Sequence, residues 1–521
     1  MNRFRASVLI LFVVASALMA IHGSRLVFTG DEGILLEPAQ RVAMGERPYV
    51  DFFAYMSPGS YWIQAIIFKL LGFTMFAGRL MTILDFSLQC ALVFWLVARF
   101  ATMRAASITT ALFVVFQIAD PSFLTAQHRW DSGALALLSI VLALTACDQP
   151  ATWRWMLSGG LIAVAVLCTP TVGLVVLVTL CWLLMERRWI EASKYSCGGA
   201  LVAISAVLFL WRVGNLQGFL DQMNWLRTNY SEVNIVPYGA VIGGYKNLFD
   251  GMSGFLLVLE AGLVFCMALP AILPPFAVAA NLIQIARGKV EPKERSMLLF
   301  LIACTVALVS SSFPRPDVMH LAFVAFLPYV LTGVWISRWC SLRIAGPVVA
   351  LVSGFAGLYL VGVYTGLAGT TQLPFAVGTL RVPKHLEPEL KQLIARVGKQ
   401  QSLFVHPYMP LFYFLTQATN PTRFAYLTPG LMTSREESMA LEDLAKKPPE
   451  WVLFLSLSRE EFLRVFPNGT AYNEKFPKME AWLAKNYRQL DPPLTVNGYQ
   501  LLRRDATPLA LTKPPAHLAS Q

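Results

Sequence analysis

AGRLMTILDFSLQCALVFWLVARFATMRAASITTALFVVFQIADP, residues 77–121, decides the architecture. Two apolar runs, 77–98 and 105–121, flank a short connection that carries Arg99 and Arg104. Each run reaches the roughly 17–20 residues that a helix needs to cross a hydrocarbon core about 30 Å thick. A short turn rich in arginine between two such runs marks the cytoplasmic side of a membrane.

Working outward, the same pattern recurs. Candidate spans lie at 6–22, 77–98, 105–121, 132–147, 155–169, 171–186, 195–213, 252–276, 296–313, 319–336 and 344–364, eleven in all. Between 155 and 186 the Cys168-Thr169-Pro170 stretch predicts a broken helix pair, with irregular backbone facing protein rather than lipid. Every second connection is short and basic: Arg3 and Arg5; Arg99 and Arg104; Arg154; Arg187, Arg188 and Lys194; Arg287, Lys289, Lys293 and Arg295; Arg338 and Arg343. The positive-inside rule places this set, with the N-terminus, in the cytoplasm and the C-terminus outside. The basic start and first apolar run also mimic a secretory signal, but the run is long enough to span and is read as the first helix.

Composition agrees. Of 521 residues, 56% are hydrophobic and 14% charged, against about a quarter charged in ordinary soluble domains. That excludes a disordered chain, a simple soluble enzyme and a small disulfide-stapled module. The net charge of +11 is scattered in loop clusters rather than gathered in a stripe, which argues against nucleic acid as a partner. All eight cysteines lie between Cys90 and Cys340 without metal-ligand spacing, and read as small buried hydrophobes.

The fold class expected is therefore a polytopic α-helical membrane protein, residues 1–371, followed by a small α/β extracytoplasmic domain, residues 372–521. The first outer loop, 23–76, is long, acidic and aromatic; within it Ser57–Leu71 reads as a helix lying in the membrane interface. In the last part, Glu387–Lys399, Ser434–Lys447 and Ser458–Phe466 read as helices, the latter two opened by serine caps. Ser402–His406, Trp451–Leu457 and Val496–Arg503 read as strands. The tail from Ala506 is rich in proline and alanine and reads as fraying.

Three constellations fall on the outer side. Asp31 and Glu32, just past the first span, are followed by Asp51; acids beside apolar spans are costly unless solvated or used. They suit a general base at the mouth of a lipid-facing pocket, or oxygen ligands for a divalent cation such as Mg or Mn, although no spacing compels a metal. Arg315, Asp317 and His320 suit a phosphate: a guanidinium fork, a second donor, and an acid that orients either one. His128, Arg129 and Asp131 repeat the combination and are candidate substrate-binding residues. The bland readings are a helix N-cap with solvated loop acids for the first set, a helix–helix turn with a local ion pair for the second, and loop solvation with an Asp131 cap for the third. Within the spans Asp85 is the clearest charge, with Arg79 as its expected partner.

The stretch GDEGILLEPAQRVAMGERPYVDFFAYMSPGSYWIQAIIFKLLGFTMFAGRL, residues 30–80, resembles the first outer loop of GT-C-fold glycosyltransferases that use polyprenyl-phosphate sugars. Its nearer likeness is to the family that includes protein O-mannosyltransferases and the aminoarabinose transferase of lipid A. The acid pair, the Gly-x-x-Pro-Tyr-x-Asp element, the proline-led interfacial helix and the Gly-Arg-Leu start of the second span are all present. The run HPYMPLFYFLTQATNPTRFAYLTPG, residues 406–430, resembles the outer domain attached to many such proteins. The large β-trefoil-like insert of the mannosyltransferase branch is not seen.

The resemblance implies transfer of a sugar, with inversion, from a polyprenyl-phosphate carrier to the hydroxyl of an envelope glycan, lipid or protein outside the inner membrane. It implies Asp31 as base, with Glu32 and Asp51 as companion acids. Two rival classes remain open: a lipid-linked glycan flippase, and a glycan-binding envelope scaffold. Asn229 and Asn468 head Asn-x-Ser/Thr triplets, which matter only if the host glycosylates exported proteins.

Overall fold

The computed structural model describes residues 2–118, 124–241, 253–339, 342–399, 401–428, 430–456, 458–465 and 476–505. Asn468 and the tail from Ala506 lie outside these residues.

Among the described residues the chain opens with fifteen α-helices: α1 (Asn2–Gly23), α2 (Gly30–Ala43), α3 (Pro58–Leu71), α4 (Met75–Phe100), α5 (Met103–Ile118), α6 (His128–Asp148), α7 (Thr152–Cys168), α8 (Leu174–Met185), α9 (Trp189–Arg212), α10 (Leu216–Asn234), α11 (Gly254–Ala286), α12 (Pro292–Ser310), α13 (Val318–Ala322), α14 (Phe326–Trp339) and α15 (Leu342–Ala368). Every expected span falls on one or two of them. Among the described residues, six helices (α1, α4, α6, α9, α11 and α15) are long and apolar enough to cross a membrane. Of the remaining five expected spans, those on α5, α7 and α8 are shorter apolar helices, α12 carries Lys293, Glu294 and Arg295 in its first turn, and 319–336 divides into α13 and α14. The break between α7 and α8 occurs at Thr169, which is extended and leads into one 3₁₀ turn over Pro170–Gly173.

A β-hairpin follows, β1 (Thr370–Phe375) and β2 (Gly378–Pro383), then α16 (Glu387–Arg396), β3 (Leu403–His406), α17 (Leu411–Thr416), α18 (Ser434–Lys446), β4 (Trp451–Phe454), α19 (Arg459–Val465), a helix over Pro477–Asn486, and β5 (Tyr487–Gln489), β6 (Thr495–Val496) and β7 (Tyr499–Arg504). The main sheet runs β3-β4-β7-β5, with β3 parallel to β4 and the other pairs antiparallel; β6 also pairs with β7. The expected strand 496–503 is thus a tight hairpin. Asn497 and Gly498, at φ 47° and 83°, supply the left-handed pair that its two-residue turn requires. The cap of α18 is Thr433 rather than Ser434, in a reciprocal box with Glu436. At α19 the expected serine cap forms: Glu461 N–H donates to Ser458 Oγ at 3.2 Å, and Glu461 Oε2 accepts from Ser458 N–H at 3.0 Å.

Two apolar cores organise the molecule. One joins α1, α4–α8, α11, α12 and α14 through residues such as Phe86, Phe113, Trp130, Phe300 and Phe326. The other joins the first loop to the last third of the chain: Leu26, Ile34, Phe52, Tyr61 and Phe68 pack with Leu403, Phe412, Phe414 and Tyr426. Phe68 stacks on Phe414 at 5.4 Å. Backbone bonds bind the same parts, from Leu26 N to Arg381 O at 2.8 Å and from Phe53 N to Arg423 O at 2.8 Å. The first loop and the C-terminal part of the chain therefore share one core. The site described next lies where that core meets the helix bundle.

Candidate active site

The two acids between the glycines of Gly30-Asp31-Glu32-Gly33 decide what the first loop offers. These four residues form the first turn of α2, where acids are favoured by the helix dipole. Neighbours on a helix diverge by about 100°, so the two carboxylates part. Glu32, fully buried, enters the core. Arg79 Nε and Nη2 donate to its two oxygens at 2.7 Å each, and Ala126 N–H donates at 3.0 Å. Arg79 Nη1 is spent on the carbonyls of Gly23 and Arg25 at 2.9 and 2.6 Å. The expected partners Arg79 and Asp85 are not paired. Asp85 instead lies within hydrogen-bonding reach of Asp131.

Asp31 faces the other way, into a cavity of about 700 Å³. Tyr408 O–H donates to its Oδ1 at 2.9 Å, and Gln127 Nε2 donates to its Oδ2 at 3.2 Å. The close approach of the C-terminal domain explains both glycines. A Cβ on Gly30 would stand 2.0 Å from the Tyr408 ring, and one on Gly33 2.1 Å from the backbone nitrogen of Leu411.

Across the cavity stand four basic side chains, His128, Arg129, Arg315 and His320. Asp317 orients two of them, as its spacing predicts. Its Oδ2 accepts from Arg315 Nε at 3.2 Å; its Oδ1 meets His320 Nδ1 at 2.8 Å and caps α13 through His320 N–H at 3.0 Å. Burial alone would favour the neutral Asp317 carboxyl, but His320 and Arg315 hold it below the ordinary range. Arg315 Nη1 also donates to Asn234 Oδ1 at 2.8 Å. The His128 ring is fixed by Thr169 Oγ1, 2.8 Å from its Nδ1, so the broken α7–α8 junction has a task at the site. Arg129 differs: among the described residues no hydrogen bond or ion pair holds its guanidinium, which senses Tyr230, Asp317, Tyr55 and Asp31 only at longer range. A half-buried cation in that condition favours an anionic ligand.

Three expected site residues stand elsewhere. Glu32 is committed to Arg79. Asp51 sits on the surface, closing the turn after α2 through Arg47, whose hydrogen bond holds the Asp51 carboxyl below its usual range. Asp131 turns from the cavity toward Asp85 and Ser60. Asp31, Glu32 and Asp51 thus do not converge, and among the described residues no three His, Cys, Asp or Glu side chains cluster as a metal site. No step below involves a divalent cation. Sequence reasoning missed Tyr408, Asn234, Tyr55 and Tyr230, and gave Gln127, at the head of the third constellation, no role. Tyr408 lies within the quoted HPYMPLFYF run and Gln127 beside His128, but nothing local marks Asn234.

An acid and a basic cluster thus line one cavity, where the helix bundle meets the C-terminal sheet. Residues 56–211 match the family described as dolichyl-phosphate-mannose-protein mannosyltransferase. Among solved structures, the chain is similar to ArnT from Cupriavidus metallidurans. The likeness to ArnT bound to undecaprenyl phosphate covers 97% of this chain and 98% of that one, at 12% identity and TM-score 0.54. To the apo form it covers 96% and 98%, at 13% identity and TM-score 0.56. No curated protein sequence matches. The chain shares the fold of ArnT, the GT-C fold, over nearly its whole length.

Proposed function

We propose that this protein transfers a sugar from a polyprenyl-phosphate carrier to an acceptor hydroxyl on the extracytoplasmic side of the cell's inner membrane. The observation that carries the reading is that Asp31 and the basic set Arg129, Arg315, His128 and His320 line one cavity. In this reading Asp31 takes the acceptor proton as the acceptor oxygen attacks the anomeric carbon. The bond from that carbon to the phosphate oxygen breaks, and its electron pair leaves with the lipid phosphate. The basic cluster stabilises the negative charge that grows there, where low dielectric strengthens each donor. A single displacement inverts the anomeric centre.

The likeness to a structure bound to undecaprenyl phosphate supports the donor class. The apolar part of the lining, including Ile34, Leu35, Met267 and Phe313, supports a prenyl tail close to the reacting group. The short basic connections at the far ends of α4, α8 and α14 support a cytoplasmic assignment for that end, and hence an outward-facing cavity. The acceptor is an envelope glycan, lipid or protein.

The test incubates purified protein with a panel of polyprenyl-phosphate sugars and a cell-envelope extract. Release of free polyprenyl phosphate together with sugar incorporation is expected for one donor. Movement of the intact donor across a vesicle membrane without cleavage would instead identify a transporter.

A further inference from the structure

We propose that Tyr408, carried by the C-terminal domain, is the positioning residue for Asp31, so that this domain completes the active site rather than standing beside it. The inference deepens the functional reading above, since it takes Asp31 as the base.

The two hydrogen bonds on Asp31 come from opposite sides of the molecule. Gln127 belongs to the bundle, just before α6, and binds Oδ2; Tyr408 follows β3 and binds Oδ1. A carboxylate turns easily about its last torsion. Two donors on its two oxygens fix its plane and leave each oxygen a further lone pair for an incoming proton. With one donor removed, the same carboxylate swivels.

Tyr408 is itself held on several sides. Its carbonyl accepts from Tyr499 O–H at 2.8 Å. The preceding Pro407 carbonyl accepts from Leu427 N–H at 2.9 Å. Its ring meets Tyr426 edge-on at 6.0 Å, and on its other side lies so close to Gly30 that no side chain fits there. Burial, with the charge of Asp31 adding to it, pushes the phenol well above its ordinary value, so it remains a donor at every physiological pH. Such restraint matches a group whose task is to fix another.

The test uses the full chain in lipid nanodiscs and has two arms. The first reads Asp31 directly, by carbodiimide labelling with an amine tag and peptide mass spectrometry. Tyr408→Phe is expected to raise labelling of Asp31 severalfold, to leave surface Asp51 unchanged, and to keep buried Glu32 unlabelled, which shows the fold intact. Unchanged Asp31 labelling overturns the proposal, as does labelling that rises equally at Glu32, since that reports unfolding. The second arm measures turnover with the cleaved donor. Tyr408→Phe is expected to lower kcat by about 10-fold or more, the scale of a misplaced catalytic group, with donor KM within about twofold of wild type; unchanged kcat overturns the proposal. Absence of turnover in wild type refutes the transferase reading alone, because the labelling arm still decides the role of Tyr408.

Discussion

Arg79 holds Glu32 by two parallel 2.7 Å hydrogen bonds, with side chains 3% and 0% exposed, and so ties α4 to the first turn of α2. The pair fixes the helix that presents Asp31. Breaking one partner of a buried ion pair leaves an uncompensated charge, at a cost of about 3–5 kcal/mol. Glu32→Gln is therefore expected to lower the thermal unfolding midpoint strongly or to prevent recovery of monodisperse protein. Unfolding followed by fluorescence in detergent checks it; a stable but inactive Glu32→Gln variant would contradict this structural assignment.

Asp31→Asn is expected to behave in the opposite manner. The amide keeps the volume and still accepts from Tyr408, so unfolding should stay near wild type. Transfer should fall by about 10²–10⁴-fold, the usual worth of a general base. Asp51→Asn, at a surface turn, should leave transfer unchanged. Turnover of the three proteins side by side checks both statements, and normal transfer by Asp31→Asn would remove the carboxylate from the mechanism.

How far these assignments were legible in sequence depends on the distance over which each is made. The spans were readable because lipid imposes length and apolarity locally, and Asp31 because an acid beside a span is conspicuous. The parting of Asp31 from Glu32 was not, because α2 carries Pro38 and a mixed composition and was not recognised as a helix. Tyr408 is 377 residues from Asp31 and Gln127 is 96 residues away, so those bonds exist only through the tertiary fold. Asp85 meeting Asp131 rather than Arg79 has the same cause. Spacing of one or two turns on α4 suggested Arg79, whereas packing of α4 against α6 supplied another partner.

Arg129 and Arg315 should separate in a binding assay. Arg315 is tied to Asn234 and Asp317, whereas Arg129 has no such tie among the described residues. Arg129→Ala is expected to leave unfolding unchanged or slightly improved, because it removes a half-buried unpaired charge. It should weaken binding of polyprenyl phosphate by about 10-fold or more, as loss of a charge-assisted hydrogen bond of about 1.5–3 kcal/mol implies. Affinity for the matching polyprenol, which lacks the phosphate, should not change. Arg315→Ala should weaken phosphate binding and also lower stability, since it leaves Asp317 and Asn234 short of a partner. Titration of both variants with the two lipids, alongside thermal unfolding, checks the distinction.

Gly33→Ala tests the seam between α2 and the C-terminal domain. The added methyl would stand 2.1 Å from Leu411 N, 2.6 Å from Pro410 C and 2.7 Å from Leu411 Cα, all backbone atoms that cannot rotate aside. Either α2 or the 410–411 segment must retreat, at a cost of about 1–3 kcal/mol for overpacking of this kind. Retreat carries Tyr408 away from Asp31, so transfer should fall even in the protein that remains folded. Gly354→Ala in α15, where a Cβ meets nothing within 4 Å, is the matched control. Alanine there gains helix propensity of up to about 1 kcal/mol, and neither stability nor transfer should drop. Limited proteolysis of the C-terminal domain, read together with turnover, separates the two variants. Equal behaviour would mean that the seam tolerates an opening that its backbone contacts forbid.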